Sequence, residues 1–283
     1  MKDVLVLVTG HAEDDIRLGF ADKLAATFDA DVDIVLANEL PPPSVASAMP
    51  LAVATVPSGQ ADTAAQEAAR KAGAKYEAHL RERVSNRKGR VRLTRLDETA
   101  GGLATHVAKL ASTRDAFVCS LPGREHEHEL AGTIMDRVLT DSGRSVIGIP
   151  QGWKDSQPVH QVTIAWNGSR ESVRAVTEAM PLLKQAQAVA VLLVDQTRRA
   201  GDDARPGADI MLHLQRHGVE AKVVHIAKEE MKTAEAILTE SKRLGADMLV
   251  MGAQAEGGVL QWFKGSVSRD VVARTEIPVL LAH

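Results

Sequence analysis

One series of landmarks occurs twice along this chain, and the repetition limits its fold more than any other feature. Short apolar runs ending in small or turn-forming residues alternate with helix-period segments in both halves. Gly10 and Gly168 each follow a first apolar run, 158 positions apart. Asp115 and Asp247 open a fourth run, 132 apart. Gly132-Thr133 and Gly265-Ser266 stand where a last helix is expected to open, and Ser145 and Pro278 begin the fifth runs, both pairs 133 apart. The shorter spacing later in the chain places an insertion of about 25 residues in the first half. The proline-rich "NELPPPSVASAMPLAVATVPSGQ" accounts for most of it and reads as a long loop, a lid or packing arm.

Between these landmarks the elements follow in a fixed order. "DVLVLV", "DVDIVLA", "RVRLTRL", "AFVCS" and "SVIGIP" read as five strands of the first half. The helices between them include one with Ile16, Phe20, Leu24 and Phe28 on one face, and a polar, alanine-rich helix over roughly residues 61–85. "VTIAW", "AVAVLLV", "AKVVHIA", "DMLVMG" and "VLLAH" repeat the strands in the second half, with Val173, Val176, Met180 and Leu183 marking its first helix. "KEEMKTAEAILTESKR" reads as an amphipathic helix with a solvated face. Strict alternation of apolar strands and helices calls for a parallel sheet covered on both faces. The expected fold is therefore α/β: two tandem doubly wound parallel five-stranded sheets, each a Rossmann-like sandwich. The expected domains are 1–152, carrying the insertion at about 38–60, and 158–283, joined by the linker "PQGWKDSQPVHQ".

Composition excludes several functions. The length of 283 residues suits two domains, and 45% hydrophobic with 25% charged residues suits ordinary cores. A net charge of −3 gives no attraction to nucleic acid or an anionic membrane. The longest apolar runs are strand-length, far short of a membrane span. "MKDVLVLVTG" lacks a small-residue cleavage site, and the single cysteine, Cys119, fits a reducing compartment. The expected location is the cytoplasm.

The chemistry concentrates in "VMGAQAEGGVLQWFKGSVSRDVVARTEIPVLLAH". Gly252-x-x-Ala255, nine residues and Gly265-Ser266 link a strand end to a helix start. In the first half the same place reads Cys119-Ser120, Gly123, eight residues, Gly132-Thr133, with the carboxylate-rich "REHEHEL" between. An α/β unit ending G-x-x-G, nine residues, G-[S/T], helix and short strand resembles the universal stress protein family. The resemblance covers nearly the whole chain as two tandem copies, with Ala255 standing for the second glycine. It implies ATP, with or without Mg²⁺, as the ligand of the second half. The first strand of the family ends in an aspartate near the nucleoside; Asn167 takes that place within Ala165-Trp166-Asn167-Gly168-Ser169. Val194 matches the position whose backbone meets adenine. With the phosphate-side residues, the implied nucleotide-binding set is Ala165, Trp166, Asn167, Val194, Met251, Gly252, Ala255, Gly265, Ser266, Val267 and Ser268. The resemblance also implies pairing of the fifth strands, "SVIGIP" with "PVLLAH", into an intramolecular pseudodimer, with room for a further homodimer.

Residue chemistry supports that set and also offers a plainer reading. Glycine lets the backbone approach a ligand, and the free amides of a first helical turn favour an anion. Lys264 and Arg269 stand beside that helix start, where cations are unfavourable unless an anion joins them. Yet Gly-Ser before a helix is ordinarily an N-cap, and Asn-Gly-Ser is ordinarily a turn. His126 and His128 sit in a charged loop without an evident third metal ligand, Trp262-Phe263 could form a flap or simply pack, and Cys119 belongs to a buried strand. No nucleophile with a neighbouring base is apparent, so any ATP hydrolysis would be slow. The expected function is a stress-response or regulatory ATP-binding protein. A tandem interaction module, or a binder of another small ligand, is the alternative; an adenylylating enzyme would need a reactive group that the sequence does not offer.

Overall fold

The computed structural model describes residues 1–43, 58–85, 90–122, 129–154, 159–195, 206–253 and 266–283. In the first half, β1 (Asp3–Val8) leads through α1 (Asp14–Phe28) to β2 (Asp31–Glu39). Then come α2 (Ser58–Val84), β3 (Val91–Glu98), α3 (Ala100–Ala111), β4 (Ala116–Ser120), α4 (Glu129–Asp141) and β5 (Val146–Ile149). The second half runs β6 (Gln161–Ala165), α5 (Arg170–Gln185), β7 (Ala188–Val194), α6 (Ala208–Arg216) and β8 (Ala221–Ile226). It closes with α7 (Thr233–Arg243), β9 (Met248–Gly252), α8 (Ser266–Val272) and β10 (Val279–Ala282).

The ten strands form one sheet in the order β3-β2-β1-β4-β5-β10-β9-β6-β7-β8. Every pairing is parallel except the central one, where β10 runs antiparallel to β5 with Leu280 opposite Ile147. The two five-stranded parallel units are thus fused edge to edge. The fifth strands supply the seam because each is apolar on both faces: Val146, Ile147, Ile149, Val279, Leu280 and Leu281 are all buried. Leaving either edge uncovered would expose both these side chains and a row of unpaired backbone groups.

Side-chain alternation sends Val4, Val6 and Val8 to one face and Leu5 and Leu7 to the other. The first face packs against α1, α2, α5 and α6; the second packs against α3, α4, α7 and α8. Both cores cross the β5–β10 seam without interruption. The linker belongs to the first core as well. Trp153 meets Phe20 edge-on at 5.5 Å between ring centroids, and Lys23 Nζ lies 4.8 Å above the indole.

The repeated aspartates have one job in both halves. Asp115 accepts from the Asp3 N–H at 3.2 Å and from the Lys2 N–H, while its own N–H donates to the Asp3 carbonyl at 2.9 Å. Asp247 accepts from the His160 and Gln161 N–H groups at 2.9 and 3.0 Å, and its N–H donates to the Gln161 carbonyl at 3.0 Å. Each carboxylate satisfies the amides that enter the first strand before the sheet ladder begins. This is why the same residue recurs at the same register.

Three sequence expectations are corrected. α4 begins at Glu129, so Gly132-Thr133 lie inside its first turn rather than opening it, and the Thr133 hydroxyl donates to the Glu129 carbonyl at 2.9 Å. α7 begins at Thr233, because Lys228–Met231 closes a turn with Glu229 in the left-handed region at φ 50°. Val173 does not face the core but is 47% exposed; α5 buries the stripe Ser172, Ala175, Val176, Ala179, Leu182 and Leu183 instead. Most of the proline-rich insertion, and the residues His126, His128, Trp262, Phe263 and Lys264, lie outside the described residues. Among the described residues no helix is long and apolar enough to cross a membrane.

Candidate functional site

In an open parallel sheet, ligands gather past the carboxyl ends of strands where the order of connection reverses. Here that reversal falls between β6 and β9 in the second half, and between β1 and β4 in the first. Ala165 is paired with Met251, so the ends of β6 and β9 are adjacent and Asn167 and Gly252 lie beside the same crevice. Ala165 also pairs with Leu192, which brings Val194 alongside on the next strand. The Trp166 N–H continues this ladder to the Leu192 carbonyl at 3.1 Å.

Asn167 then builds a turn. Its Oδ1 accepts from the Ser169 N–H at 3.0 Å, Gly168 takes φ 74°, and Ser169 caps α5 by accepting from the Ser172 N–H at 3.2 Å. Only glycine adopts the Gly168 conformation without strain. Gly252 is required for a different reason. A Cβ there would lie 2.6 Å from both the Glu171 carbonyl carbon and the Ser172 nitrogen. The first turn of α5 rests directly on the Gly252 backbone, so this glycine serves helix-on-strand packing.

The first half fills the same place with side chains. Asp14 and Arg17, one helical turn apart on α1, form an ion pair and are 1% and 3% exposed. Arg17 donates through Nε to the Leu7 carbonyl at 3.0 Å and through Nη1 to the Ser120 hydroxyl. It therefore bridges the ends of β1 and β4. Asp14 accepts from the Thr9 N–H at 3.2 Å, the Gly10 N–H at 2.9 Å and the Tyr76 hydroxyl at 2.6 Å. Burial pulls the Arg17 pKa down, opposed by Cys119, Glu13 and Tyr76. At the repeat spacing of 158, Asp14 and Arg17 correspond to Ser172 and Ala175; at 132, Ser120 corresponds to Gly252. A charged plug in one half stands opposite small residues and direct backbone contact in the other.

The universal stress protein family matches residues 158–283. That match identifies the second half as a universal stress protein domain. Solved structures similar to the whole chain include a universal stress protein from Archaeoglobus fulgidus DSM 4304, 14% identical, covering 99% of this chain and 97% of that one at a TM-score of 0.69. A putative universal stress protein from Pseudomonas aeruginosa UCBPP-PA14 is 11% identical, covering 100% and 93% at a TM-score of 0.57. A functionally unknown protein from Pseudomonas aeruginosa PAO1 is 14% identical, covering 100% and 92% at 0.57. No curated protein matches the chain. At these identities the likeness is one of fold, and it spans both halves.

Within this universal stress protein fold the implied binding residues divide into three groups. Ala165, Trp166, Asn167, Val194 and Gly252 come together at the strand ends, with Asn167 exposed and Ala165, Trp166 and Val194 half-buried. Met251 and Ser268 are 4% and 5% exposed, and Val267 packs on the core, so Met251 and Val267 have side chains committed to the interior. Ala255 and Gly265 lie outside the described residues, as does the side chain of Ser266, whose backbone opens α8.

Two further groups at this rim were missed from sequence. Glu171 has its carboxyl held below the usual range by its own amide and the Ser169 hydroxyl. His283 places Nδ1 3.1 Å from the Ala253 carbonyl, beside Gly252. A carboxylate three residues after Asn-Gly was visible in the sequence, but its place at the crevice required the sheet order. Cys119 is fully buried and its thiol is pushed up to about 12, chiefly by burial, with Arg17 acting in the other direction. It is inert packing, as its strand position led one to expect.

Proposed function

We propose that this universal stress protein is a two-domain stress-response regulator, divided at 1–152 and 158–283, that binds one adenine nucleotide per chain in its second half. ATP is the first candidate, with or without Mg²⁺. The observation that carries this reading is the contrast between the two switch points. A buried arginine and its carboxylate span the first, whereas exposed Asn167 and Gly168 edge the second. Asn167 would meet the nucleoside through its amide, the Val194 backbone would meet the base, and Gly265 to Ser268 would meet the phosphates. Bound nucleotide would supply charge and rigidity at the crevice. No residue is assigned as a base, so the role is binding, with turnover slow if present. The pseudodimer formed by β5 and β10 leaves room for a further homodimer, and the buried single cysteine suits the cytoplasm.

A test is thermal stabilisation by ATP, with mass analysis of nucleotide released from native protein. Ligand at about 100 times its Kd adds about 2.7 kcal/mol, an upward shift of about 5 °C for a chain of this size. Gly265→Asp is expected to abolish that shift while leaving the unliganded Tm and circular dichroism unchanged. An ATP shift that survives this substitution removes the phosphate assignment. Titration calorimetry should give one site per chain; two sites would show that the Arg17 plug opens.

A second reading, a tandem interaction module or a binder of another ligand, has observations of its own. The Asn167 amide oxygen is already engaged by Ser169, α5 covers Gly252, and the Glu171 carboxylate stands nearby. Absence of any response to millimolar ATP, together with no nucleotide in the native preparation, selects this reading.

A further inference from the structure

We propose that His213 on α6 and His217, which caps the C-terminal end of that helix, form an exposed chelating site for a divalent transition-metal ion. The proposal is independent of the nucleotide reading, because α6 stands away from the β6–β9 crevice and shares none of its residues.

The two histidines are four residues apart, which places them one above the other on a helix. Both are exposed, and their ring centroids are 4.6 Å apart with the planes at 54°. That separation suits a shared metal. A ring nitrogen lies roughly 1.2 Å from its own centroid, so a metal about 2.05 Å from each nitrogen stands about 3.2 Å from each centroid. With a right angle between the two ligands, the centroids are then about 4.6 Å apart. Helix ends often fray, but this one is pinned. The His217 N–H donates to the His213 carbonyl at 3.2 Å, keeping the helical register through the second ligand. Gly218 follows at φ 78°, its N–H donating to Gln215 at 3.0 Å, and the Val219 N–H reaches back to Leu214 at 2.9 Å. Leu214 and Val219 are 0% and 4% exposed and anchor that turn in the core. The backbone carrying both rings is therefore fixed before any ion arrives.

The chemistry selects the class of ion. Two neutral imidazoles suit Cu²⁺, Ni²⁺ and Zn²⁺, with Cu²⁺ held most tightly, and do not suit Mg²⁺ or Ca²⁺. The negative end of the α6 dipole favours a cation at this end of the helix. No cluster of three or more candidate donors occurs among the described residues, so water or an external ligand completes the coordination.

The test uses the full chain carrying His126→Gln and His128→Gln, which removes the other closely spaced histidine pair. Cu²⁺ alone is titrated at about pH 8 by calorimetry, with electron paramagnetic resonance of the complex. The expected result is one Cu²⁺ with two equatorial imidazole nitrogens. Adding His213→Ala or His217→Ala should each lower the affinity at least tenfold and change the spectrum to one imidazole nitrogen. His79→Ala, at another exposed histidine, should change neither. Unchanged affinity and spectrum in both single variants overturns the proposal, as does absence of two-nitrogen coordination in the parent protein.

Discussion

Replacing Asp14 by asparagine probes the first-half crevice directly, because it removes one charge while nearly preserving shape. Asp14 is 1% exposed and accepts from the Thr9 and Gly10 amides and the Tyr76 hydroxyl, besides pairing with Arg17. After the substitution Arg17, itself 3% exposed, keeps only neutral acceptors in the Leu7 carbonyl and the Ser120 hydroxyl. Breaking a buried pair from one side costs about 3–5 kcal/mol, since the remaining charge has lost its counterion. The asparagine amide keeps one acceptor oxygen but presents an NH₂ where the carboxylate accepted a second set of donors, which adds to the loss. For a chain of this size the Tm should fall by roughly 6–10 °C.

Arg17→Met separates charge from packing. It leaves Asp14 negative but still accepting from three donors, so its cost should be smaller, about 1–3 kcal/mol. Combining Asp14→Asn with Arg17→Met should cost less than the sum of the singles, because neither variant side chain carries a formal charge. Urea unfolding of the four proteins closes the cycle, and the coupling should reach at least about 1.5 kcal/mol. A loss below about 1 kcal/mol for Asp14→Asn, or strictly additive singles, would falsify the view that this pair closes the crevice as a unit.

Other consequences follow from particular contacts. Gly252→Ala places a Cβ 2.6 Å from two backbone atoms of α5, neither of which can rotate away, so stability should drop by about 2–3 kcal/mol on urea unfolding. A fully neutral substitution would show that α5 does not rest on this strand end. Leu280→Ala empties a site that is 0% exposed at the β5–β10 seam and should cost about 2–5 kcal/mol, with both halves unfolding together in calorimetry. For Cys119, the folded thiol is raised from 9.0 to about 12. Stability linked to it is fully present below pH 9.0 and is lost as pH rises through about 12, because the unfolded thiol ionises first. Native protein should not react with a disulfide thiol reagent at pH 8, and urea-unfolded protein should release one equivalent.

The strands were legible because each is a compact apolar run: Ala116–Ser120 and Ala188–Val194 occupy the positions that their composition marks. The pairing of the fifth strands was legible through the resemblance, and Asp115 and Asp247 were legible as landmarks although their clasp on the first-strand amides was not. The crevices were harder to read. Asp14 and Arg17 share a stripe with Ala21 and Leu24 on the buried side of α1, but a charged pair in a sequence reads as surface. Their burial is made tolerable by the end of β1 and its loop, through the Leu7 carbonyl and the Thr9 and Gly10 amides, and by Tyr76 and Ser120, which are distant in the chain. Val173 erred in the opposite direction, since apolar spacing alone could not tell which side of α5 would face the strands. Gly252 has the residue type of a ligand contact, yet what it accommodates is a helix brought there by residues eighty positions earlier. Periodicity reports local geometry; the identity of whatever faces a strand end is decided by long-range packing.

The duplication itself makes the contrast between the halves informative. Two copies of one frame leave the same space where β1 meets β4 and where β6 meets β9, and the surrounding apolar layers are continuous through both. In the first copy the occupant is covalently attached: a guanidinium holding both strand ends, a carboxylate gathering the loop amides, and a phenol from α2 closing over them. Such a network is satisfied from within, so an incoming anion would have to displace Asp14 from Arg17 and from three other donors at once. In the second copy the corresponding side chains are Ser172 and Ala175, which are buried but too short to reach across, and α5 settles onto Gly252 instead. What edges the second crevice is backbone and the Asn167 amide, with Gly168, the Glu171 carboxylate and His283 beside them, rather than a closed ion pair. The two halves thus share one frame and one seam, yet close the corresponding strand ends by different means.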